Sequence, residues 1–201
     1  MTAAWILVLA YLAGAVPTGY LLVKFTRGVD VRKIGSGNIG ATNAARAAGI
    51  AAGVLVLLID AGKAYLAVWL AGKMTADSPF WTGAAAVVVM LGNAYPVFLK
   101  FRGGKTVATF VGAFLRLTPV ATGAVLLVWL GTAVISRRVS AGSLVAAATF
   151  PLGVWLILHP GTELVTASLA AAALIIWRHR DNIRRLRQGA EPAFSLSRKP
   201  R

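Results

Sequence analysis

VATFVGAFLRLTPVATGAVLLVWLGTAVI, residues 107–135, decides how this chain is threaded. It holds a short apolar run at 107–115, then Arg116 and Pro119, then a longer apolar run at 120–135. At about 1.5 Å of helical rise per residue the first run reaches roughly 14 Å, under half of a ~30 Å hydrocarbon core. It is therefore either a short span of its own or half of one long helix. The choice places everything after it on one side of a membrane or the other.

Outward from this stretch, further apolar runs occupy residues 5–23, 51–70, 81–99, 144–158 and 164–177, each bounded by Gly, Pro or charged residues that mark ends. The first lacks a basic leader and a clear cleavage site, so it reads as a retained span. The 201 residues are 58% hydrophobic and 13% charged, with a mean hydropathy of +0.73, which excludes a single soluble core. A formal net charge of +15 is concentrated between the runs. All Lys and Arg except Lys63, Lys73 and Arg116 fall in four clusters, at residues 24–46, 100–105, 137–138 and 178–201. Seven crossings put all four clusters on one side, whereas merging the two short runs splits them. The positive-inside rule thus favours an all-α polytopic membrane protein of seven transmembrane helices, N-terminus outside and C-terminus cytoplasmic. The whole chain forms one membrane domain, with residues 190–201 expected as a loosely ordered basic tail on the membrane surface.

Zero Cys and two His leave no thiolate site and make a multi-histidine metal centre improbable, so neither a metal nor a cofactor is expected. Chemistry is confined to the polar connections. The first contains Gly35, Gly37 and Gly40, a literal G-x-G-x-x-G, but it follows a membrane span rather than a strand of a βαβ unit, so a dinucleotide site is rejected. Glycines can still converge successive N–H groups into an anion nest beside a helix start. A helix from about Asn38 would put Asn38, Thr42 and Arg46 on one face, toward a phosphate. A glycine-rich turn with an arginine as topology signal fits the same residues equally well.

The second connection ends in Gly103-Gly104-Lys105-Thr106, yet Leu99 stands where a P-loop needs glycine, and nucleotide hydrolysis is not supported. Exposed N–H groups and the Lys105 ammonium at a helix start make a second anion site, while Lys100 and Arg102 read as snorkelling anchors. Ser140 and Ser143 in the third connection either point inward together or simply cap a helix. In the fourth, His179, Asn182, Ile183 and Leu186 share a face, which a surface amphipathic helix explains for the apolar pair and not for the polar one. The surrounding cations are expected to keep His179 neutral. Asp60 and Lys63, inside a span, read first as a structural ion pair and second as a substrate contact. His159, beside Pro160, sits in an external turn.

The segment Gly35 to Asn43 with Arg46, Pro96 to Lys105 followed by Val107-Ala108-Thr109, Val139-Ser140 with Gly142-Ser143, and Arg178-His179-Arg180 with Asn182-Ile183, Arg185-Leu186, Gly189 and Glu191 resemble the bacterial acyl-phosphate:glycerol-3-phosphate acyltransferase family. The likeness runs in order along nearly the whole chain. It implies an inner-membrane, multi-pass enzyme with its active site on the cytoplasmic side, moving a fatty acyl group from acyl phosphate to the sn-1 hydroxyl of glycerol 3-phosphate. Lysophosphatidic acid and phosphate are the products, membrane lipids the surroundings, and a monomer without nucleic acid the expected state. Asn93 departs from the family's usual His, which removes a proton carrier, and Thr106 stands where Gly or Ala is common.

With this resemblance, Ser36, Arg46 and Lys105 are expected to hold phosphate groups. Gly37, Asn38, Thr42 and Asn43 shape the first loop, and Gly103 and Gly104 supply backbone donors for the acyl phosphate. Ser140, Ser143, His179 and Asn182 complete a polar wall, and Glu191 pairs with basic residues to support the loops. Side-chain bases are scarce, so the donor's own phosphate is expected to take the hydroxyl proton. A membrane transporter for a phosphorylated solute is the rival, but no second copy of the Ser36–Arg46 segment supplies the inverted repeat such a protein uses. A coenzyme-A-dependent acyltransferase would show Asp five residues after His, where this chain has Leu164 and Arg184.

Overall fold

The computed structural model describes residues 3–193, so the part of the expected basic tail beyond Ala193 lies outside it. The described residues form helices and connections with no strand: α1 (Ala3–Ala15), α2 (Thr18–Arg27), α3 (Ala41–Ala48), α4 (Ile50–Met74), α5 (Pro79–Ala94), α6 (Val107–Leu117), α7 (Pro119–Ser136), α8 (Val139–Leu158), α9 (Thr162–Arg178) and α10 (Arg180–Arg187). Among them, Ala4–Arg27, Ile50–Met74, Pro79–Leu99, Pro119–Ser136 and Val139–Leu158 are long and apolar enough to cross a membrane. α6, with 11 residues, and α9, with 17, are shorter.

The ambiguous stretch resolves into two helices. Pro119 opens α7 at its first position, where the missing N–H is harmless, and it biases Thr118 away from helical geometry. Thr118, at φ −141° and ψ 63°, ends α6 and donates its hydroxyl back to the Phe114 carbonyl. The alternative of one continuous helix is thereby excluded.

The first run is also broken, between α1 and α2 at Pro17. Lys63 Nζ donates to the freed Val16 carbonyl at 2.7 Å, and Thr18 Oγ1 donates to Asp60 at 2.8 Å. Asp60 and Lys63 form the expected ion pair at 2.7 Å. The pair is therefore structural, satisfying a helix break where lipid offers no hydrogen bonds.

Inside and outside are inverted relative to a soluble bundle. Leu58, Leu66, Leu127 and Ile135 are exposed, while small residues such as Ala64, Ala71, Ala85, Ala86 and Ala113 are buried. Helices approach closely where side chains are absent: a Cβ on Gly112 of α6 would collide with the Ala61 carbonyl of α4. The larger core side chains gather around Phe110, Phe114 and Phe150, with Phe150 meeting the other two edge-on at centroid distances of 4.7 and 4.9 Å. Short α6 lies inside this packing and carries the second glycine loop at its N-terminal end.

Candidate active site

The four basic connections meet at one end of the bundle. The first is organised by one buried side chain. Asn43, in the first turn of α3, donates through Nδ2 to the carbonyls of Val31, Ile34 and Asn38 at 3.0, 2.9 and 2.8 Å. Its Oδ1 accepts the Ser36 N–H at 3.1 Å. The chain can wrap so tightly because Gly35 and Gly37 take positive φ, and a side chain on Gly35 would press against Asn43 Oδ1.

Two expectations about this loop are corrected. Helix α3 starts at Ala41, so Asn38 does not share a helical face with Thr42 and Arg46; its Oδ1 instead accepts the Gly40 N–H at 2.8 Å. Nor do the N–H groups form an open nest, because those of Ser36, Gly37 and Gly40 already bond to Asn43, Ile34 and Asn38. Ser36 and Arg46 stay exposed.

The second loop is held from a distance. Gly103 and Gly104 donate to the carbonyls of Ala94 and Asn93 at 3.2 and 2.9 Å, so the expectation that they offer free backbone donors is not met. Their own carbonyls are gripped by Arg178, through Nη2 to Gly103 at 2.8 Å and Nε to Gly104 at 2.9 Å. Arg178 also lies over the Tyr95 ring at 5.0 Å. A side chain on Gly103 would strike the Asn93 carbonyl and Pro96, and the space at Gly104 is bounded by Asn93 Oδ1, Asn38 Oδ1 and Ile39. The first and second loops therefore meet at Gly104.

Lys105 follows this junction. Burial pulls its ammonium down to about 8, with Arg185 and Arg46 adding repulsion and Glu191 opposing it. Thr106 next to it takes φ +61° and keeps a buried hydroxyl without a partner among the described residues.

The third and fourth connections close the wall through Glu191, which was expected to pair with basic residues and does so with Arg185 at 2.7 Å. Ser140 Oγ and Asn182 Nδ2 both donate to Glu191 Oε1 at 2.6 Å. Burial alone would raise this carboxyl, but the bonds from Ser140, Asn182 and Arg185 hold it below the usual glutamate range. Ser143 is buried, donating to the Val139 carbonyl and accepting from Trp129 Nε1. Asn182 Oδ1 has no partner among the described residues.

His179 is buried at the α9–α10 junction, its Nδ1 2.8 Å from the Ile175 carbonyl. Nδ1 must carry the hydrogen for that bond, which leaves the Nε2 lone pair available. Burial, then Lys105, lowers its pKa to about 4. The expected neutrality is present, with desolvation rather than cation repulsion as the main cause. Sequence reasoning assigns Arg178 no role as a loop clamp, because contacts to carbonyls far away leave no local pattern.

The chain and its fold have known counterparts. The glycerol-3-phosphate acyltransferase family profile matches residues 4–189. The chain belongs to that family. Glycerol-3-phosphate acyltransferases of Myxococcus xanthus and Desulforamulus reducens are 46% and 41% identical, covering 96% and 95% of this chain and 100% and 94% of theirs. The crystal structure of PlsY (YgiH), an integral membrane glycerol 3-phosphate acyltransferase in its glycerol 3-phosphate form, superposes with a TM-score of 0.91 at 37% identity over 97% of this chain and 96% of that one. Its lysophosphatidic acid form gives 0.90 at 36%, over 98% and 97%. The chain is accordingly an integral membrane acyltransferase.

Proposed function

We propose that this acyltransferase moves a fatty acyl group from acyl phosphate to the sn-1 hydroxyl of glycerol 3-phosphate at the cytoplasmic face of the bacterial inner membrane. One observation carries the reading: two glycine-rich loops meet at Gly104, where Arg178 is spent on the loop carbonyls and Lys105 follows the junction, close enough to Arg46 to feel its charge. Both proposed substrates are phosphate anions, and the apolar helices supply surroundings for an acyl chain. Seven spans, with the N-terminus outside, would place all four basic connections together, as their meeting supports.

In this mechanism Arg46 and Lys105 hold phosphate groups, Ser36 contributes a hydroxyl from the first loop, and Ser140, Ser143, His179 and Asn182 line the opposite wall. Gly37, Asn38, Thr42 and Asn43 keep the first loop in shape, and Gly103 and Gly104 let the second loop pass close. The sn-1 oxygen attacks the acyl carbonyl carbon, a new C–O ester bond forms, and the bond from that carbon to the phosphate oxygen breaks. The proton goes to the departing phosphate, because the side-chain bases are poorly suited. Glu191 is locked by three donors, Asp60 is paired with Lys63, Asp181 faces Arg184, and a His179 with a pKa of about 4 is a weak base. Acyl phosphate is an activated mixed anhydride, so alignment and charge neutralisation are what the site must supply.

The test is phosphate release by purified protein. Phosphate release is expected with acyl phosphate plus glycerol 3-phosphate and not with acyl phosphate alone, and no free CoA thiol is expected with acyl-CoA plus glycerol 3-phosphate. No release with both true substrates would sink the assignment.

A further inference from the structure

A concave surface borders the same loops. It is a cleft of about 770 Å³ walled by Arg32 and Lys33 from the turn after α2, Arg102 from the second connection, and Arg178 and Arg180 from the α9–α10 junction. Asp30 is its one carboxylate and is already bound to Arg32 at 2.7 Å. None of Ser36, Arg46, Lys105, His179 or Asn182 lines it, although their neighbours Gly37, Gly103 and Arg178 do.

The cations differ in how they are held. Arg32 is fixed by Asp30 and lies over Tyr20, Arg178 by two carbonyls and Tyr95, and Arg180 lies over the Trp177 ring at 5.3 Å. Lys33 and Arg102 have no side-chain hydrogen bond or ion pair among the described residues, yet share this concave wall. Like charges gathered in a cleft focus a positive potential, which an incoming anion relieves. Beside them Phe101, which also lines the cleft, is 59% exposed, and Phe98 is 61% exposed. Bare aromatic rings next to Lys and Arg are what the interface between lipid headgroups and acyl chains favours.

We propose that this cleft is a second phosphate-binding site, separate from the transfer site, which takes the headgroup of an anionic phospholipid while Phe98 and Phe101 meet its apolar part. Lys33 and Arg102 contribute the unneutralised charge. Arg178 and Gly103 line the cleft, so its occupant bears on the clamp that shapes the second loop.

Calorimetric titration of the full-length protein in detergent tests this, with dihexanoyl phosphatidic acid in one arm and inorganic phosphate in the other. Replacing both cations, Lys33→Gln with Arg102→Gln, is expected to weaken phosphatidic acid binding about tenfold or more, the loss of two charge-assisted contacts. The charge-keeping pair Lys33→Arg with Arg102→Lys retains it, and an unchanged thermal midpoint shows that the Gln variant is folded. Arg46→Gln, which strikes the transfer site, leaves this binding intact while turnover falls, so failure here and failure of the proposed reaction are read separately. Inorganic phosphate binding much more weakly identifies the lipid as the source; equal binding with the same variant dependence keeps the phosphate site and overturns the lipid as its occupant. Wild-type affinity in the double Gln variant, or loss of binding in Arg46→Gln, overturns the separate cleft.

Discussion

The two glycine-rich loops reach similar ends by different means. In the first, the pin is a side chain of the adjoining helix: Asn43 bonds to three carbonyls and one N–H within a dozen residues of itself. In the second, the pin is Arg178, which grips Gly103 and Gly104 from more than 70 residues away. The N–H groups of Ser36, Gly37 and Gly40 in the first loop and of Gly103 and Gly104 in the second are bonded within the protein, so these residues do not offer them to an anion. What they deliver is position: each sets one cation, Arg46 or Lys105, next to the place where the loops touch. Glycine here permits close approach rather than supplying the donors itself.

The largest effect should come from the cations. Arg46→Gln and Lys105→Gln are each expected to lower kcat/KM by about 10²–10³, the usual consequence of removing one donor to developing charge. Measuring KM for both substrates shows whether the loops differ in what they hold. If they serve different phosphates, the two variants raise KM for different substrates; the same rise for the same substrate would mean that the loops share one anion.

Next come the pins. Asn43→Ala leaves the buried Val31 carbonyl and the part-buried carbonyls of Ile34 and Asn38 without its amide, at about 1–3 kcal/mol for each group that water cannot reach, so lowered thermal stability and at least a tenfold drop in turnover are expected. Asn43→Asp should do no better, since a carboxylate cannot donate to the three carbonyls. Arg178→Lys should lower turnover roughly tenfold despite keeping its charge, because a single ammonium does not reproduce the planar fork that spans two carbonyls. Full turnover in Arg178→Lys would show that the second loop is held by its backbone bonds to Asn93 and Ala94 alone, and the contrast between the loops would collapse.

The two pins also differ in how legible they are in the sequence. Apolar runs and charge clusters revealed a helical membrane protein, because lipid forces both patterns along the chain itself, and Pro119 marked the break that separates α6 from α7. The family resemblance places Asn43 in the first loop, and its partners lie within a dozen residues of it. Arg178 could not be read as a clamp, because a guanidinium on carbonyls 74 and 75 residues away leaves no periodicity or spacing to read. The helix start at Ala41 rather than Asn38 was hidden for a related reason: Asn38 caps the Gly40 N–H, a choice between helix and turn that asparagine makes only in context.

A smaller effect concerns pH and separates Lys105 from Arg46. Burial holds the Lys105 pKa at about 8, so the free enzyme carries the ammonium below that value and loses it above. If the ammonium must be charged to hold a phosphate, kcat/KM falls on the alkaline side, by up to about tenfold per pH unit beyond 8. A bound phosphate favours the charged form, so the matching limb in kcat should lie at higher pH. Lys105→Arg should remove the limb whatever it does to the plateau, because a guanidinium stays protonated throughout this range. His179, at about 4, adds no transition near neutrality. An alkaline limb unchanged in Lys105→Arg would assign the titration to another group and leave Lys105 with a role that does not depend on its proton.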